Sequence, residues 1–346
     1  MTAELPLTIA MVLATPGTTW GGMEKHTAEL ADALARRGHT LHLIAHPAYQ
    51  NQFSNNVHVH PMPMHLGRRN PILYLKLRSL LRHLAPDLCH GQGNKAIALL
   101  SQLKLPAKRI GTVHGIKKSH RGLERMDAVI GVSQAVMATL KHPNMTLIYN
   151  GSSACQGSSV LPSPFSKRSS IQAVAIGRLE PVKGFDLLIQ AWKRLNNDAQ
   201  LTIIGEGSQR TSLEAQIAAT GLSSRVSLAG FQSTPETWLQ HADVCIISSH
   251  REGLSYVLIE ALQSGCAVLA TPVAGAKELL PAIALAENHS AEALSQLLAT
   301  HLSALEQLRD AERHAMEYAR TELTIDSMAS RTEDTYRQLF RNHHHD

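Results

Sequence analysis

The stretch from residue 248 to residue 278, SSHREGLSYVLIEALQSGCAVLATPVAGAKE, most constrains what this chain can fold into. An apolar run ending at Ile247 leads into a polar turn, and Ser255 stands where a helix N-cap is expected. Gly265 follows the helical run as a helix-ending glycine does, and the apolar residues 266–271 predict another strand. The stretch therefore predicts one strand–helix–strand unit of a parallel sheet.

Two carboxylates lie in this unit, Glu252 in the turn and Glu260 in the helix. Where a parallel strand ends and a helix begins, unpaired N–H groups and the positive end of the helix dipole suit a phosphate-bearing ligand. The pattern also fits a simpler interpretation, in which Glu252 is an ordinary turn residue and Glu260 shares a solvated helix face with Gln263 and Ser264. The residues alone leave both interpretations open.

The spacing of Glu252 and Glu260 within EGLSYVLIEALQSGCAVLAT resembles the signature of retaining nucleotide-sugar glycosyltransferases of family 4. These enzymes have the GT-B fold of two Rossmann-like domains. The resemblance implies that Glu252 contacts the donor sugar and that Glu260 binds the ribose hydroxyls of the nucleotide. The usual Gly-Phe-Gly of the family is Gly253-Leu254-Ser255 here, and the backbone amides of these three residues are assigned to donor binding.

A second strand-to-helix turn, within GRLEPVKGFDLLIQAW, carries Arg178 and Lys183. By pattern alone these are ordinary loop cations. Two cations flanking such a turn can also neutralise a diphosphate without a metal ion, and the segment resembles the diphosphate-binding turn of the family. The resemblance places Phe231 where the family holds the base, and we assign Gly205, in the turn after the next strand, to the same donor site.

The first half of the chain offers three further candidates. Gly21 and Gly22 lie between a strand ending at Leu13 and a helix predicted over 23–37, and tight-turn chemistry alone would explain both. This loop resembles the first loop of the family, which implies that its backbone approaches the donor phosphates and the acceptor. His114 ends a strand, where α/β sheets bind ligands. A structural role is the alternative in a chain with 20 histidines, but the resemblance implies that His114 reaches the donor sugar.

The length and the strand pattern predict an α/β protein of two doubly wound domains. A chain of 346 residues is too long for one ordinary core, and strands alternating with helices favour open parallel sheets. We expect an acceptor-binding Rossmann-like domain at 1–155, a Ser-, Gly- and Pro-rich linker at 156–170, a nucleotide-sugar-binding Rossmann-like domain at 171–325 and a terminal helix at 326–346. The GT-B resemblance implies that the domains face each other across a cleft and that the terminal helix packs back on the first domain.

Positive charge is concentrated in the first half. Residues 1–160 carry 17 Lys and Arg against 7 Asp and Glu, whereas residues 161–346 carry 16 against 21. A basic half suggests an anionic partner. Two basic clusters carry the charge: Arg68, Arg69, Lys76, Arg78 and Arg82 around a helix predicted over 72–84, and Lys117, Lys118, His120, Arg121 and Arg125 after His114. We interpret them as a landing surface for an anionic membrane or a phosphorylated glycan, with solvated faces as the alternative.

Several classes of protein are disfavoured. The four cysteines, Cys89, Cys155, Cys245 and Cys266, have no CxxC spacing, which argues against a zinc site or a disulfide framework. The sequence contains no Asp-x-Asp motif, which would suggest a bridging metal ion. We assign no metal ion to the terminal His343, His344 and His345. A nicotinamide-binding GxGxxG is missing, and no aromatic residues interleave with the basic ones as in RNA-binding modules.

The resemblance thus implies a hexosyltransferase, and we expect it to need neither a metal ion nor a cofactor. The resemblance implies retention of anomeric configuration and a UDP-hexose donor. The basic first half suggests a cell-envelope glycan or lipid-linked acceptor, such as a lipopolysaccharide core. Since neither a signal peptide nor a transmembrane run is evident, we expect a cytoplasmic enzyme at the inner face of the membrane. A small soluble acceptor, or a nucleic-acid-binding protein, is the alternative.

Overall fold

The computed structural model describes residues 5–18, 20–116, 120–153, 163–165 and 170–341. The chain divides into two compact units, one formed by Met1–Gly151 with Ile325–Asp346 and the other by Ser152–Thr324. Each unit is built on its own parallel sheet, which confirms the predicted α/β class with Rossmann-like sheets. Most of the predicted linker lies outside the described residues, as do Lys117, Lys118, Cys155 and residues 343–345.

The first unit contains a parallel sheet with the strand order β3-β2-β1-β4-β5-β6-β7. Its strands are β1 (Thr8–Leu13), β2 (Thr40–Ala45), β3 (His58–Pro61), β4 (Leu88–Gln92), β5 (Lys108–Val113), β6 (Ala128–Gly131) and β7 (Met145–Leu147). Its α-helices are α1 (Gly22–Arg36), α2 (Pro71–Leu84), α3 (Gly93–Leu100), α4 (Gln134–Met137) and, from the end of the chain, α12 (Ile325–Arg341).

Apolar side chains cover both faces of this sheet. Successive strand residues point to opposite faces, so that Ile9 and Met11 of β1 join a core with α1 and α12, whereas Ala10 and Val12 join a core with α2 and α3. Burial on both faces explains why β1 reads as a continuous apolar run rather than an alternating one.

The last helix belongs to the first unit although it ends the chain. On α12, Tyr336 is fully buried, and the Asp326 carboxylate accepts a hydrogen bond from Arg37 (Nη2–Oδ1, 2.5 Å). His39 Nε2 lies 3.2 Å from Glu333 Oε1. Both an apolar face and polar contacts therefore hold α12 in this unit.

The second unit contains a parallel sheet with the strand order β10-β9-β8-β11-β12. Its strands are β8 (Gln172–Ile176), β9 (Gln200–Ile204), β10 (Val226–Gly230), β11 (Val244–Ile247) and β12 (Ala267–Ala270). Its α-helices are α5 (Phe185–Lys193), α6 (Arg210–Ala219), α7 (Pro235–His241), α8 (Tyr256–Ser264), α9 (Ala274–Leu279), α10 (Ala291–His301) and α11 (Leu305–Glu322).

The central strand–helix–strand stretch folds as β11, α8 and β12. Gly265 ends α8 with φ of +72°, a left-handed conformation that favours glycine. Ser255 is the N-cap residue of α8, as predicted, and takes the extended conformation of that position, although its hydroxyl makes no capping hydrogen bond to the helix. The buried Ser255 instead lines a small cavity beside β11.

Candidate active site

Lys183 and Glu252 form an ion pair at the carboxyl end of the second sheet. Lys183 Nζ donates a hydrogen bond to Glu252 Oε1, and Ser249 Oγ donates to the same oxygen at 3.0 Å. The two side chains are 19% and 16% exposed. They follow β8 and β11, which are neighbours in the sheet. The fold therefore brings together one predicted site residue from each of the two strand-to-helix turns.

The turns that carry this pair are bonded to each other. Ser248 Oγ donates to the carbonyl of Lys183 at 2.9 Å, and the backbone N–H of His250 donates to the carbonyl of Val182 at 2.9 Å. Gly184 lies between them with φ of +64°, and a Cβ there would be 2.2 Å from the carbonyl oxygen of Ser248. Glycine is thus required for the two turns to lie this close.

A small cavity adjoins the ion pair. Lys183, Ser249, Glu252 and Ser255 all line it, together with apolar side chains from β8, β11 and α5. The first N–H groups of α8 begin here and have no acceptor within the helix. A positive side chain, a carboxylate and a helix N-terminus therefore meet at one point, an arrangement that suits an anionic ligand with hydroxyl groups.

The backbone of the neighbouring turns packs just as closely. Gly205 has φ of +141°, and a Cβ there would be 1.9 Å from the carbonyl oxygen of Gly177. The N–H of Gly205 donates to the carbonyl of Gly230 at 2.8 Å. Arg178 follows Gly177 and is exposed. Arg178 therefore lies on an exposed turn. Next to it, the close contacts of Gly177, Gly205 and Gly230 hold the ends of β8, β9 and β10 together.

The segment before α8 is largely enclosed. Leu254 and Ser255 are buried, and Gly253 is half-buried. A Cβ at Gly275 would be 2.6 Å from the carbonyl oxygen of Gly253. The backbone of residues 253–255 is therefore fixed by packing, as a preformed ligand loop requires.

Glu260 is buried, with 4% of its surface exposed. Ser152 Oγ donates to Glu260 Oε1 at 3.4 Å, and Gln263 Nε2 donates to the carbonyls of Ser152 and Leu323 at 3.2 and 2.9 Å. The solvated-face interpretation of Glu260 and Gln263 is therefore wrong, because this face of α8 contacts Ser152 and the end of α11. Ribose binding by Glu260 stays a prediction.

Phe231 stands apart from these buried residues. It follows β10 directly after Gly230, which has φ of +73°, and it is 74% exposed. Exposed aromatic rings can stack on planar groups, and base binding by Phe231 stays a prediction.

In the first unit, the predicted glycine loop immediately precedes α1. Gly21 is the N-cap residue and Gly22 the first residue of the helix. The N–H of Gly21 donates to Glu24 Oε2 at 3.1 Å. The loop therefore leads into a helix N-terminus, and its role in binding donor phosphates or acceptor stays a prediction.

His114 ends a chain of hydrogen-bonded side chains that pattern analysis did not predict. His114 Nε2 lies 2.8 Å from Gln92 Oε1, and the Gln92 amide nitrogen lies 3.4 Å from His90 Nε2. His90 also contacts Thr112 Oγ1 at 2.7 Å and the Tyr336 hydroxyl at 2.6 Å. A sequence signal did exist, because residues 90, 92, 112 and 114 have the two-residue spacing that places them on one sheet face.

His26 of α1 completes this group. Its ring centroid lies 4.6 Å from that of His114, in an edge-to-face arrangement, and its Nδ1 lies 3.1 Å from Asn150 Oδ1. Burial lowers the pKa of His26 to about 4 and that of His90 to about 3, and it holds the pKa of His114 well below the usual range. These three histidines are therefore neutral at pH 7.

Within the described ranges, no group of three or more His, Cys, Asp or Glu side chains has an arrangement that could hold a metal ion. No helix in the described part of the chain combines the length and apolar character needed to span a bilayer. The described cysteines, Cys89, Cys245 and Cys266, are buried free thiols.

Two family models match the chain. The model described as Glycosyltransferase Family 4 matches residues 20–153, and the model described as Glycosyl transferases group 1 matches residues 163–321. The two matches meet near the boundary between the two units.

Curated relatives include glycosyltransferases of bacterial cell-envelope synthesis. The lipopolysaccharide core biosynthesis glycosyltransferase LpsE of Rhizobium meliloti is 25% identical over 259 residues, which cover 72% of this chain and 76% of LpsE. A Campylobacter jejuni enzyme, N-acetylgalactosamine-N,N'-diacetylbacillosaminyl-diphospho-undecaprenol 4-alpha-N-acetylgalactosaminyltransferase, is 39% identical over 107 residues. That match covers 31% of this chain and only 29% of the relative.

Solved structures share the fold along nearly the whole chain. Anabaena HepE, crystallised with UDP and glucose, has a TM-score of 0.83 at 17% identity, covering 96% of this chain and 100% of that one. WaaG, a glycosyltransferase involved in lipopolysaccharide biosynthesis, has a TM-score of 0.73 at 17% identity, covering 94% and 98%. Together with the two family models, which span most of both units, these similarities show that the chain belongs to the family 4 glycosyltransferases of GT-B fold.

Proposed function

We propose that this protein transfers a hexose from a UDP-sugar to a cell-envelope glycan, with retention of anomeric configuration and without a metal ion. The observation that carries the proposal is the Lys183–Glu252 pair beside the start of α8. A lysine, a carboxylate and a helix N-terminus together suit a ligand that combines a diphosphate with sugar hydroxyls.

The proposed roles follow from the position of each group. Lys183 has three donor hydrogens, so it can keep its bond to Glu252 while binding a phosphate oxygen. Arg178, on the exposed turn, binds the diphosphate bidentately. Glu252 accepts hydrogen bonds from the donor sugar. The ribose is assigned to Glu260, the base to Phe231, and the sugar and phosphates also to His114, Gly21 and Gly22.

The chemical step needs stabilisation of the departing UDP. As the bond between the anomeric carbon and the phosphate oxygen breaks, negative charge grows on the diphosphate, where Lys183, Arg178 and the amides of residues 253–255 neutralise it. The departing phosphate oxygen takes the proton of the acceptor hydroxyl, which attacks from the same face. Attack from the face that the diphosphate leaves retains the anomeric configuration.

The acceptor is proposed from the surface of the first unit. Helix α2 exposes Ile72 (57%) and Leu75 (59%) beside Lys76, Arg78 and Arg82. Exposed apolar side chains among basic ones favour contact with an anionic membrane, where each cation is worth ~1 kcal/mol. The names of LpsE and of the Campylobacter jejuni relative support a lipid-anchored glycan acceptor.

Calorimetric titration tests the donor proposal. We expect UDP and a UDP-hexose to bind with micromolar affinity in the presence of EDTA, and GDP- and ADP-sugars to bind at least tenfold more weakly. Proton NMR of the product is expected to show the anomeric configuration of the donor. Binding that requires a divalent cation, or an inverted product, would contradict the corresponding part of the proposal.

Vesicle binding tests the acceptor side. We expect salt-sensitive binding to vesicles containing phosphatidylglycerol and none to neutral phosphatidylcholine vesicles. Transfer to a small soluble sugar without vesicle binding would favour the small-acceptor alternative. Salt-dependent RNA binding with no affinity for UDP would favour a nucleic-acid-binding protein.

A further inference from the structure

Three side chains, those of Tyr336, His90 and Gln92, connect α12 to His114 through the first sheet. Gln92 lies opposite Thr112 in the β4–β5 pairing, and His90 lies two residues before Gln92 on the same sheet face. Tyr336 contacts His90 from α12, and Gln92 contacts His114. All of these partners are buried, with Gln92 1% exposed and His90 fully buried. Buried side chains that water does not reach therefore fix the orientation of His114.

The direction of the hydrogen bond between Gln92 and His114 sets the position of the proton. Gln92 presents its carbonyl oxygen, Oε1, to His114 Nε2 at 2.8 Å and its amide nitrogen to His90 Nε2. A carbonyl oxygen can only accept, so His114 must donate from Nε2–H. A neutral imidazole carries one such hydrogen, and Nδ1 of His114 is then an acceptor.

The surroundings disfavour a second proton on His114. In the described part of the chain, the titratable groups that face it are His26 on α1 and His90 on β4, and Tyr336 on α12 contacts His90. Among the described residues, the hydrogen-bonded chain from Tyr336 to His114 contains no carboxylate that could stabilise an imidazolium. His114 itself is half-buried, so part of this residue remains accessible to a ligand.

We propose that Gln92 is a positioning residue that holds His114 in the Nε2–H tautomer, so that Nδ1 accepts a hydrogen bond from a hydroxyl of the bound sugar. This rests on the proposed function, in which His114 contacts the sugar. Gln92 acts through His114 and does not touch the ligand. A histidine fixed in this way recognises a hydroxyl group as a hydrogen-bond donor.

Nitrogen-15 NMR of histidine-labelled protein tests the tautomer directly, with the His114 signals assigned by their loss in His114→Asn. We expect a protonated Nε2 and an unprotonated Nδ1, unchanged from pH 8 to pH 5.5. The opposite tautomer in the wild-type protein, or an imidazolium at pH 7, would overturn the proposal. This measurement needs no substrate.

Two substitutions of Gln92 test the effect on transfer. Gln92→Leu removes the acceptor, and we expect kcat/KM to fall about 10- to 100-fold with a mixture of His114 tautomers. Gln92→Glu keeps an acceptor but favours imidazolium, so we expect activity to fall at pH 6.5 and to recover towards pH 9. Gln102→Leu is the matched control, because the Gln102 side-chain amide donates to the carbonyl of Ala98 in the same unit and takes no part in the described contacts of His114.

The outcomes separate this proposal from the proposed function. Wild-type kcat/KM and an unchanged pH profile in both Gln92 variants would overturn the positioning role while leaving glycosyl transfer intact. If the wild-type protein transferred no sugar from any donor, the proposed function would fail. The tautomer measured in Gln92→Leu would then still show whether Gln92 controls His114.

Discussion

At the carboxyl end of its sheet, the first unit holds neutral histidines in a buried chain, whereas the second holds an ion pair between Lys183 and Glu252. The difference follows from burial. His26 and His90 are nearly inaccessible to water, and desolvation removes their charge. Lys183 and Glu252 retain about one-fifth of their exposure and satisfy each other. We therefore expect the first unit to recognise its ligand by fixed hydrogen bonds and the second unit to recognise it by charge.

The largest expected effect is on the charged pair. We expect Lys183→Ala and Glu252→Ala each to lower kcat/KM by about 10³-fold, because each removes a group that we propose binds the charge or the hydroxyls of the donor. Steady-state kinetics and calorimetric UDP titration would measure this. Lys193→Ala, at an exposed position of α5, is the matched control. Near-normal turnover in either active-site variant would exclude the pair from the donor site.

The close-packed turns of the second unit predict a stability effect. We expect Gly205→Ala to lower the free energy of unfolding by about 3 kcal/mol or more, since φ is +141° and the new Cβ would overlap a backbone carbonyl. Gly221→Ala is the control, with φ of +72° and no atom within 4 Å, and it should cost about 1 kcal/mol. Urea unfolding measures both. Equal losses would show that the turn relaxes.

Acid should weaken the first unit. The folded-state pKa of His26 is about 4 and that of His90 about 3, below the ordinary 6.5. Between these folded-state values and pH 6.5, the unfolded chain therefore binds more protons than the folded one. Their stabilisation is complete well above pH 6.5, and we expect each histidine to lose ~2.5 kcal/mol of it by pH 4.5, which is two pH units below the unfolded pKa. Hydrogen exchange by mass spectrometry, corrected for intrinsic rates, should show α1 and β4 losing protection. Protection that is independent of pH would contradict the buried neutral state.

The second unit should show the opposite sign. Burial raises the pKa of Glu312 to about 8 from 4.5, although its carboxylate accepts from the N–H of Val268 at 3.0 Å. The folded state therefore binds more protons, and stability falls as pH rises from 4.5 to 8. We expect Glu312→Gln to raise the free energy of unfolding by ~4 kcal/mol at pH 8 and to leave it unchanged at pH 4.5, measured by urea unfolding. An equal gain in the free energy of unfolding at both pH values would show that titration of Glu312 is not the cause.

More of the second unit than of the first could be predicted from the sequence. Its turns follow apolar strands and carry local signals, such as the positive-φ Gly184 and Gly265, and local signals survive in the pattern. Burial of Glu260 could not be read in this way, because Ser152, its hydrogen-bond partner, is 108 residues away.

The order of apolar runs, turn residues and glycines in the sequence determined two α/β units and the positions of the charged turns, because these depend on neighbours along the chain. Only the tertiary structure decided which side chains lose contact with water. The histidine chain joins residues of α1, β4, β5 and α12, and Tyr336 lies 246 positions from His90. Whether a histidine is a solvated side chain or a fixed neutral acceptor depends on such distant partners, since desolvation and hydrogen bonding act through space.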